Sequence, residues 1–461
     1  MTSREPSLRT FLRSEEQTGA LTVIERPVSA RFEVAAHLAH LDPGPIVRFD
    51  RVLGSDIRLV GNVLGSLERI AHAIGVAPGG IQERITEAVG RSTAPVEVPD
   101  APWQQREFDL GAGLDLGGLP IPTFFERENG PYITAGVIIA NDPLTGRPNA
   151  SFARVRPLGG NRALVGIAPN HHLNAMAERS PDGRMPIAVV IGAHPAVQLA
   201  ACLYLGLGDD ELEHVEVLLG HPLSVTRTTN GLLVPSEAEY VLEGTLDVRD
   251  TVVEGDVSEY HGMYEDYGSA ATAEFTRISG RSDGLFQVIL PGWHREHAYL
   301  GAIPIAAGLR AAIARSIPGV GEVSVVESGG GRLSAVVQLH GPKPGQAKQA
   351  MFAAWGSLSM LKQVTVVGDD IDVWDPVQVE WARITRCRLE RDLVLTEDVR
   401  TDRSEPLESG GTVTKIGFDA LVHQGDRLEG FEVAAPPAEV MRAVGEALAA
   451  EAFAAEEPVA R

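Results

Sequence analysis

The chain has 461 residues, 44% of them hydrophobic and 22% charged. Single cores stop growing at roughly 250–300 residues, so two or three domains are expected, and the composition excludes a mostly disordered or collagen-like chain. Forty basic residues face 62 acidic ones, a net charge of −22. That field repels nucleic acid and anionic membrane, so neither is expected as a partner, but an anionic small substrate in a local cationic pocket remains compatible with it. No apolar run reaches the roughly 18 residues of a membrane span. The first residues lack the apolar centre of a secretory signal, so the expected location is cytoplasmic. Cys202 and Cys387 are too few and too far apart for a disulfide framework or a thiolate metal cage.

Residues 1–99 read as a mixed α/β region, with helical spacing over 30–38 and 61–74. The Pro-rich stretch 92–103 reads as a linker. Strand signals dominate from 132 to 291. The run 133–142 ends in the turn-forming cluster Asn141-Asp142-Pro143-Leu144-Thr145-Gly146, and 151–159 returns from it as the second strand of a hairpin. Further strands are expected at 163–168, 186–193, 237–248 and 286–292, interrupted by helices at 171–180 and 196–207. Strand runs with a few inserted helices predict an α+β barrel or sandwich. From Pro304 helices (304–317, 345–358, 377–387) alternate with strands (320–328, 332–340, 363–372) in the rhythm of an α/β domain, and the tail from 436 has helical patterning. The expected domains are therefore 1–99, 100–303 and 304–461.

Five groups of residues are candidates for chemistry. Asn149 and Arg154 lie on the return strand, where residues five apart face opposite sides; they read as two compartments of one site, with Arg154 gripping a carboxylate or phosphate, or as an edge-strand surface pair. In Asn170-His171-His172 one imidazole is available to a metal, or both are solvated at a helix start. Asp209-Asp210-Glu211 with Glu213 suits a hard cation, or a solvated helix N-terminus. Glu254 and Glu259 form a carboxylate pair able to divide acid and base roles, or an acidic turn. Trp293, His294, Arg295, Glu296 and His297 read as a loop suited to a planar anionic ligand, or as an exposed polar turn. The dinucleotide-binding, P-loop and nucleophile-elbow patterns are absent.

In this order, these pieces resemble the UbiD family of decarboxylases, which use prenylated flavin mononucleotide (FMN). Val234-Pro-Ser-Glu-Ala-Glu-Tyr-Val-Leu-Glu-Gly244, the five-residue spacings Asn149 to Arg154 and Glu254 to Glu259, Glu211-Leu-Glu-His-Val215, 185–195, 367–372, 385–387 and 415–420 all read as family segments. The resemblance implies a central split β-barrel that holds the flavin between N- and C-terminal α/β regions. It implies reversible, non-oxidative decarboxylation of an α,β-unsaturated, aromatic or heteroaromatic acid through a covalent adduct with the prenylated flavin. Arg154, Glu254 and Glu259 would be catalytic, Arg154 orienting the acid and Glu259 donating the proton. Asn149, His172 and Glu211 would hold Mn²⁺ or Mg²⁺ against the flavin phosphate, with K⁺ nearby. Ser151, Phe152, Ala153 and His171 would complete the flavin site, and Trp293, His294, Arg295 and His297 would form a substrate loop.

The same resemblance implies a carboxylic acid and CO₂ as small-molecule partners, a flavin prenyltransferase as cofactor supplier, and a homodimer or higher homo-oligomer. Two departures stand out. Asp256-Val257-Ser258 replaces the family's usual Pro-Phe-Gly, and no lysine stands at 355–357, leaving the flavin phosphate to Lys362 or to Arg154 and the metal. A non-catalytic flavin-binding or assembly subunit, and an ordinary flavin oxidoreductase, are the alternative classes. The presence of all of Arg154, Glu254 and Glu259 speaks against the former.

Overall fold

Strands rich in Val, Ile and Ala, apolar on both faces, build the centre of the protein. The computed structural model describes residues 5–108, 115–168, 171–423, 425 and 434–455, and Asn170 lies outside them. By internal contacts the chain divides into Met1–Ala420 and Leu421–Arg461.

Besides the short strand Arg106–Glu107, seven strands make the central sheet: β1 (Val137–Asn141), β2 (Pro148–Phe152), β3 (Arg154–Gly159), β4 (Arg162–Gly166), β5 (Arg184–Ile191), β6 (Tyr240–Val253) and β7 (Ser269–Gly280), whose end pairs with that short strand. They run in the order β2-β1-β5-β6-β7-β4-β3, every pair antiparallel. The two end strands, β2 and β3, are consecutive in the chain and separated by Ala153 alone. A sheet whose outer strands are joined by one residue has to curl round until its two edges come together at that residue; the edges do not pair with each other, and this open seam makes the barrel a split one. Alternation then sorts side chains into two cores: Val137, Ile139, Ala188, Val190 and Val241 on one face, Ile138, Ala140, Ile187, Val189 and Leu242 on the other. Burial on both faces is why these strands read as unbroken apolar runs. Bulges at Glu243/Gly244 and Asp247/Thr251 bend the long β6–β7 ribbon. A Cβ at Gly244 would stand 2.5 Å from the Glu274 carbonyl oxygen.

Before the barrel, strands Leu21–Ile24, Ile46–Phe49 and Arg58–Gly61 form a small sheet. Leu285–Gln287 joins that sheet in parallel with Arg58–Gly61, so the strand expected at 286–292 belongs to the N-terminal layer. The stretch read as a linker carries the short strand Val96–Glu97, paired with Ser224–Arg227. After the barrel, Ser334–Leu339, Gln363–Gly368 and Thr412–Ala420 run parallel, with helices Gln346–Ser357 and Pro376–Arg386 between them; Val320–Val325 and Leu393–Arg400 flank them antiparallel. This is the expected α/β rhythm.

Helix α1 (His172–Glu178) follows β4, and α2 (Arg295–Ala314) enters the C-terminal region. Pro304 reads as a helix start because proline suits the first turn, yet α2 begins nine residues earlier and runs through it. By length and composition α2 could cross a membrane, but two-thirds of it is buried inside the protein, as in a core helix. In the unit Leu421–Arg461, helix Ala438–Ala455 follows the expected helical patterning.

Candidate active site

Asn149 and Arg154 do not share a regular strand. The chain breaks at Ala153, so Asn149 sits on β2, paired with β1, while Arg154 opens β3, paired with β4. The site is thereby placed on the seam of the barrel, and the two residues serve its two sides.

On the β3 side, Arg154 faces Gly166 across the ladder. A Cβ there would come within 2.7 Å of the Arg154 Nε, so glycine leaves room for the guanidinium to lie across the strand. Arg154 Nε donates to Glu254 Oε1 at 2.6 Å and Nη2 to Oε2 at 2.8 Å, a two-pronged ion pair on a carboxylate with no exposed surface. Burial works against the Arg154 charge, but the bonds to Glu254 and its negative charge outweigh it and hold the guanidinium above its ordinary pKa. The Nη1 group has no hydrogen-bond partner among the described residues.

Glu254 directly follows β6, and its backbone is fixed at both polar atoms. Its N–H donates to the Gly268 carbonyl (2.8 Å), and its carbonyl accepts from Asn129 Nδ2 (2.9 Å). Gly255, at φ +79°, turns the chain where a Cβ would strike that amide. The segment that departs from the family pattern, Asp256–Ser258, forms a hairpin with Tyr264–Asp266. Glu259 follows it, half-buried, and Tyr267 O–H donates to its Oε1. The Tyr267 ring lies between two cations, with Arg154 4.0 Å from its centroid and Arg403 4.1 Å. Burial, and then the Glu259 charge, raise the Tyr267 pKa, so it stays a phenol and a donor. The two carboxylates are thus differentiated: Glu254 is committed to Arg154, and Glu259 is held by a phenol.

On the β2 side, Glu211 is buried and receives only neutral donors: Asn149 Nδ2 at 2.9 and 3.1 Å and the Ala150 N–H at 2.7 Å. Burial pushes its pKa up to about 7. The rest of that acidic cluster is structural. Asp209 accepts from the Gly206 N–H, Asp210 from the Leu212 N–H, and Glu213 pairs with Arg147. Ser151 Oγ donates to the Asn149 Oδ1 at 3.3 Å. Phe152 packs on one core and Ala153 on the other, so the strand break is where the chain changes sides.

His172 begins α1, which packs against β2. His171 caps that helix through Nδ1, and burial, then the His172 charge, push it down to about 4, so it is a neutral cap. A buried carboxylate supplied only with neutral donors, an adjacent amide oxygen and an imidazole on the neighbouring helix make a donor set that fits a divalent ion of the Mg²⁺ or Mn²⁺ kind.

The expected substrate loop needs correction. Arg295, Glu296 and His297 are the first turn of α2, and the group is dispersed. Trp293 is exposed and donates from Nε1 to the Glu327 carbonyl; Arg295 Nε pairs with Glu327 at 2.9 Å; His294 pairs with Asp42 at 3.3 Å. These three line a cavity of about 1140 Å³ that also includes Lys362 and Trp374 and does not include Arg154, Glu254 or Glu259. Glu296 turns to the N-terminal region and accepts from the Leu64 N–H. His297 bonds through Nδ1 to the Gly292 carbonyl at 2.9 Å and lies close enough to Glu259 for that charge to act on it. Lys362, a candidate for the flavin phosphate, is paired with Glu405 at 2.7 Å.

Tyr267 and Arg403 were not singled out in the sequence. Tyr267 lies eight residues after Glu259 with no motif around it, and Arg403 reaches the site from the C-terminal region.

The barrel that carries this arginine and its two carboxylates matches a class of carboxy-lyases. Residues 12–89, 95–294 and 298–420 match the N-terminal, Rift-related and C-terminal domains of the 3-octaprenyl-4-hydroxybenzoate carboxy-lyase family, UbiD. The chain belongs to this family and is a decarboxylase. It is 32% identical over 434 residues to anhydromevalonate phosphate decarboxylase of Methanosarcina mazei, covering 94% of this chain and 99% of that one. It is 31% identical to the enzyme of the same name from Methanothermobacter thermautotrophicus, over 86% and 93% of the two chains. Among solved structures, the UbiD-class enzyme HmfF of Pelotomaculum thermopropionicum in complex with FMN superposes with a TM-score of 0.89 at 35% identity, covering 94% of this chain and 97% of that one. The apo 3,4-dihydroxybenzoic acid decarboxylase of Enterobacter cloacae shares the fold, with a TM-score of 0.90 at 22% identity over 96% and 100% of the chains.

Proposed function

We propose that this chain removes CO₂ from an α,β-unsaturated, aromatic or heteroaromatic carboxylic acid, reversibly and with bound prenylated FMN. The observation that carries the reading is the Arg154–Glu254 pair set beside the Tyr267–Glu259 pair. When bound, the flavin supplies an electrophilic centre and a sink for the electrons that CO₂ leaves behind. Arg154 presents its unused Nη1 to the substrate carboxylate while Glu254 fixes the other edge of the guanidinium. Glu259 delivers the proton to the carbon that lost CO₂. Tyr267 fixes the rotamer of Glu259. Asn149, His172 and Glu211 would hold Mn²⁺ or Mg²⁺, which neutralises the flavin phosphate in an otherwise acidic protein, with K⁺ close by. Ser151, Phe152, Ala153 and His171 shape the wall on that side. The expected setting is a cytoplasmic homo-oligomer supplied by a flavin prenyltransferase. Relatives named for anhydromevalonate phosphate favour the unsaturated-acid branch of the substrate range.

The test is purification with and without a co-expressed flavin prenyltransferase, followed by absorption spectra and CO₂ release from a panel of unsaturated, aromatic and heteroaromatic acids. Co-expression should give a changed flavin spectrum and CO₂ release. A flavin that is reduced reversibly by a nicotinamide, with no CO₂ from any acid, would replace the reading with an oxidoreductase.

A further inference from the structure

The cations expected beside the acid on residues 293–297 are engaged elsewhere, but another one reaches that place. Arg332 follows a tight turn in which Gly330 and Gly331 both have positive φ, 63° and 69°. A Cβ at 330 would lie 2.4 Å from the Tyr260 carbonyl oxygen, and one at 331 would lie 2.5 Å from that of Ala298. The two glycines let the turn wedge between α2 and the residue that follows Glu259. The guanidinium then lies on α2 at Gly301, where a Cβ would be 1.5 Å from Nη1. Three glycines are therefore needed to seat one arginine.

Like the buried Arg69 and Arg156, Arg332 finds only backbone carbonyls to bond there. Its hydrogen bond goes to the carbonyl of its own neighbour, Gly331, at 3.0 Å, and its Cζ is 6.0 Å from the Tyr260 ring centroid. Among the described residues no carboxylate is within ion-pair distance of it, although the chain carries 62 acidic residues. His297, one helical turn before Gly301, gives its Nδ1 to the Gly292 carbonyl at 2.9 Å and has no described partner at the other nitrogen. Burial, and then the Arg332 charge, disfavour the protonated form of His297, while the Glu259 charge favours it, so both residues lie close to it. A half-buried guanidinium without a counter-ion is costly, and a ligand that brings the anion removes the cost.

We propose that Arg332 receives a second anionic group of the substrate, a phosphate or a carboxylate at the end remote from the carboxylate that is lost. The substrates are then short, doubly anionic acids. The inference rests on the decarboxylase reading for the other end of the molecule. A planar fork of N–H donors suits either anion, and His297 stands beside it.

The experiment uses flavin-loaded parent protein, Arg332→Ala, Arg332→Lys and, as a control outside the site, Arg295→Gln. The probes are three saturated acids of equal length ending in a phosphate ester, a carboxylate or a hydroxyl, with binding measured by calorimetry. Turnover of the matching unsaturated acids is followed in parallel. The parent should bind at least one dianion about tenfold to a hundredfold tighter than the hydroxy acid, the range for a hydrogen bond to a charged group. The better of the two dianions tells phosphate from carboxylate. Arg332→Ala should erase the preference with flavin content unchanged, Arg332→Lys should keep part of it, and Arg295→Gln should keep all of it. Equal weakening of all three acids in Arg332→Ala, an undiminished preference, or loss of flavin from that variant would overturn the assignment, as would loss of the preference in Arg295→Gln. A parent that prefers dianions yet releases no CO₂ would support this pocket and sink the decarboxylase reading instead.

Discussion

Glu259 and Tyr267 make the sharpest claims at the scale of single residues. Glu259→Gln keeps shape and removes the transferable proton, so decarboxylation should fall by at least about a hundredfold with flavin retained, the low end for a general acid. Near-normal turnover at matched flavin content would move the donor to Glu254 or to water. Tyr267→Phe removes the donor to Glu259 but keeps the ring between Arg154 and Arg403. Its kcat should drop about tenfold, the loss of one hydrogen bond to a charged group, with flavin spectrum and thermal stability little changed. An unaltered kcat would show that Glu259 holds its position without the phenol. The sequence exposed Arg154, Glu254 and Glu259 because each lies at short spacing within a recognisable segment. It did not expose Tyr267, Arg403 or Arg332, whose relation to those residues arises only when distant parts of the chain fold together.

The break at Ala153 and the early start of α2 decide matters at the scale of elements. Spacing along one strand suggested that Asn149 and Arg154 face opposite sides. The fold achieves the same separation differently, by ending β2 and opening β3, a choice made by pairing partners that local sequence does not report. The start of α2 was misplaced because Pro304 is a good first-turn residue, and burial of 296–303 overrides that preference. The helix puts Glu296 in the core, where burial raises its pKa to about 7. The ordinary value is ~4.3, so between these limits the folded state holds a proton that the unfolded state releases. This contribution to stability is full below pH ~4 and is lost as pH rises through about 7. Glu296→Gln mimics the protonated form. Its stability should gain on the parent's between pH 5 and 8, by on the order of 3 kcal/mol. A difference that does not vary with pH would contradict the burial argument.

The whole molecule is acidic, and its flavin phosphate needs local positive charge. If Asn149, His172 and Glu211 share an ion with that phosphate, metal and flavin stabilise one another by linkage. His172→Ala should therefore lower both contents after purification, measured by elemental analysis and absorbance. His171→Ala should cost only a helix cap, about 1 kcal/mol. Flavin retained at the parent's level with the metal gone would break the proposed bridge. The seam of the barrel carries one more consequence. The outer side of β3 is closed where Val155 and Ile133 exchange backbone hydrogen bonds of 3.1 and 2.8 Å, and on β2 the Ala150 N–H ends on Glu211. An unclosed strand edge is a template on which a second chain can add. Glu211 is thus a stopper as well as a proposed ligand. Glu211→Ala should precipitate from cells or sediment as aggregates where the equally metal-poor His172→Ala stays in solution.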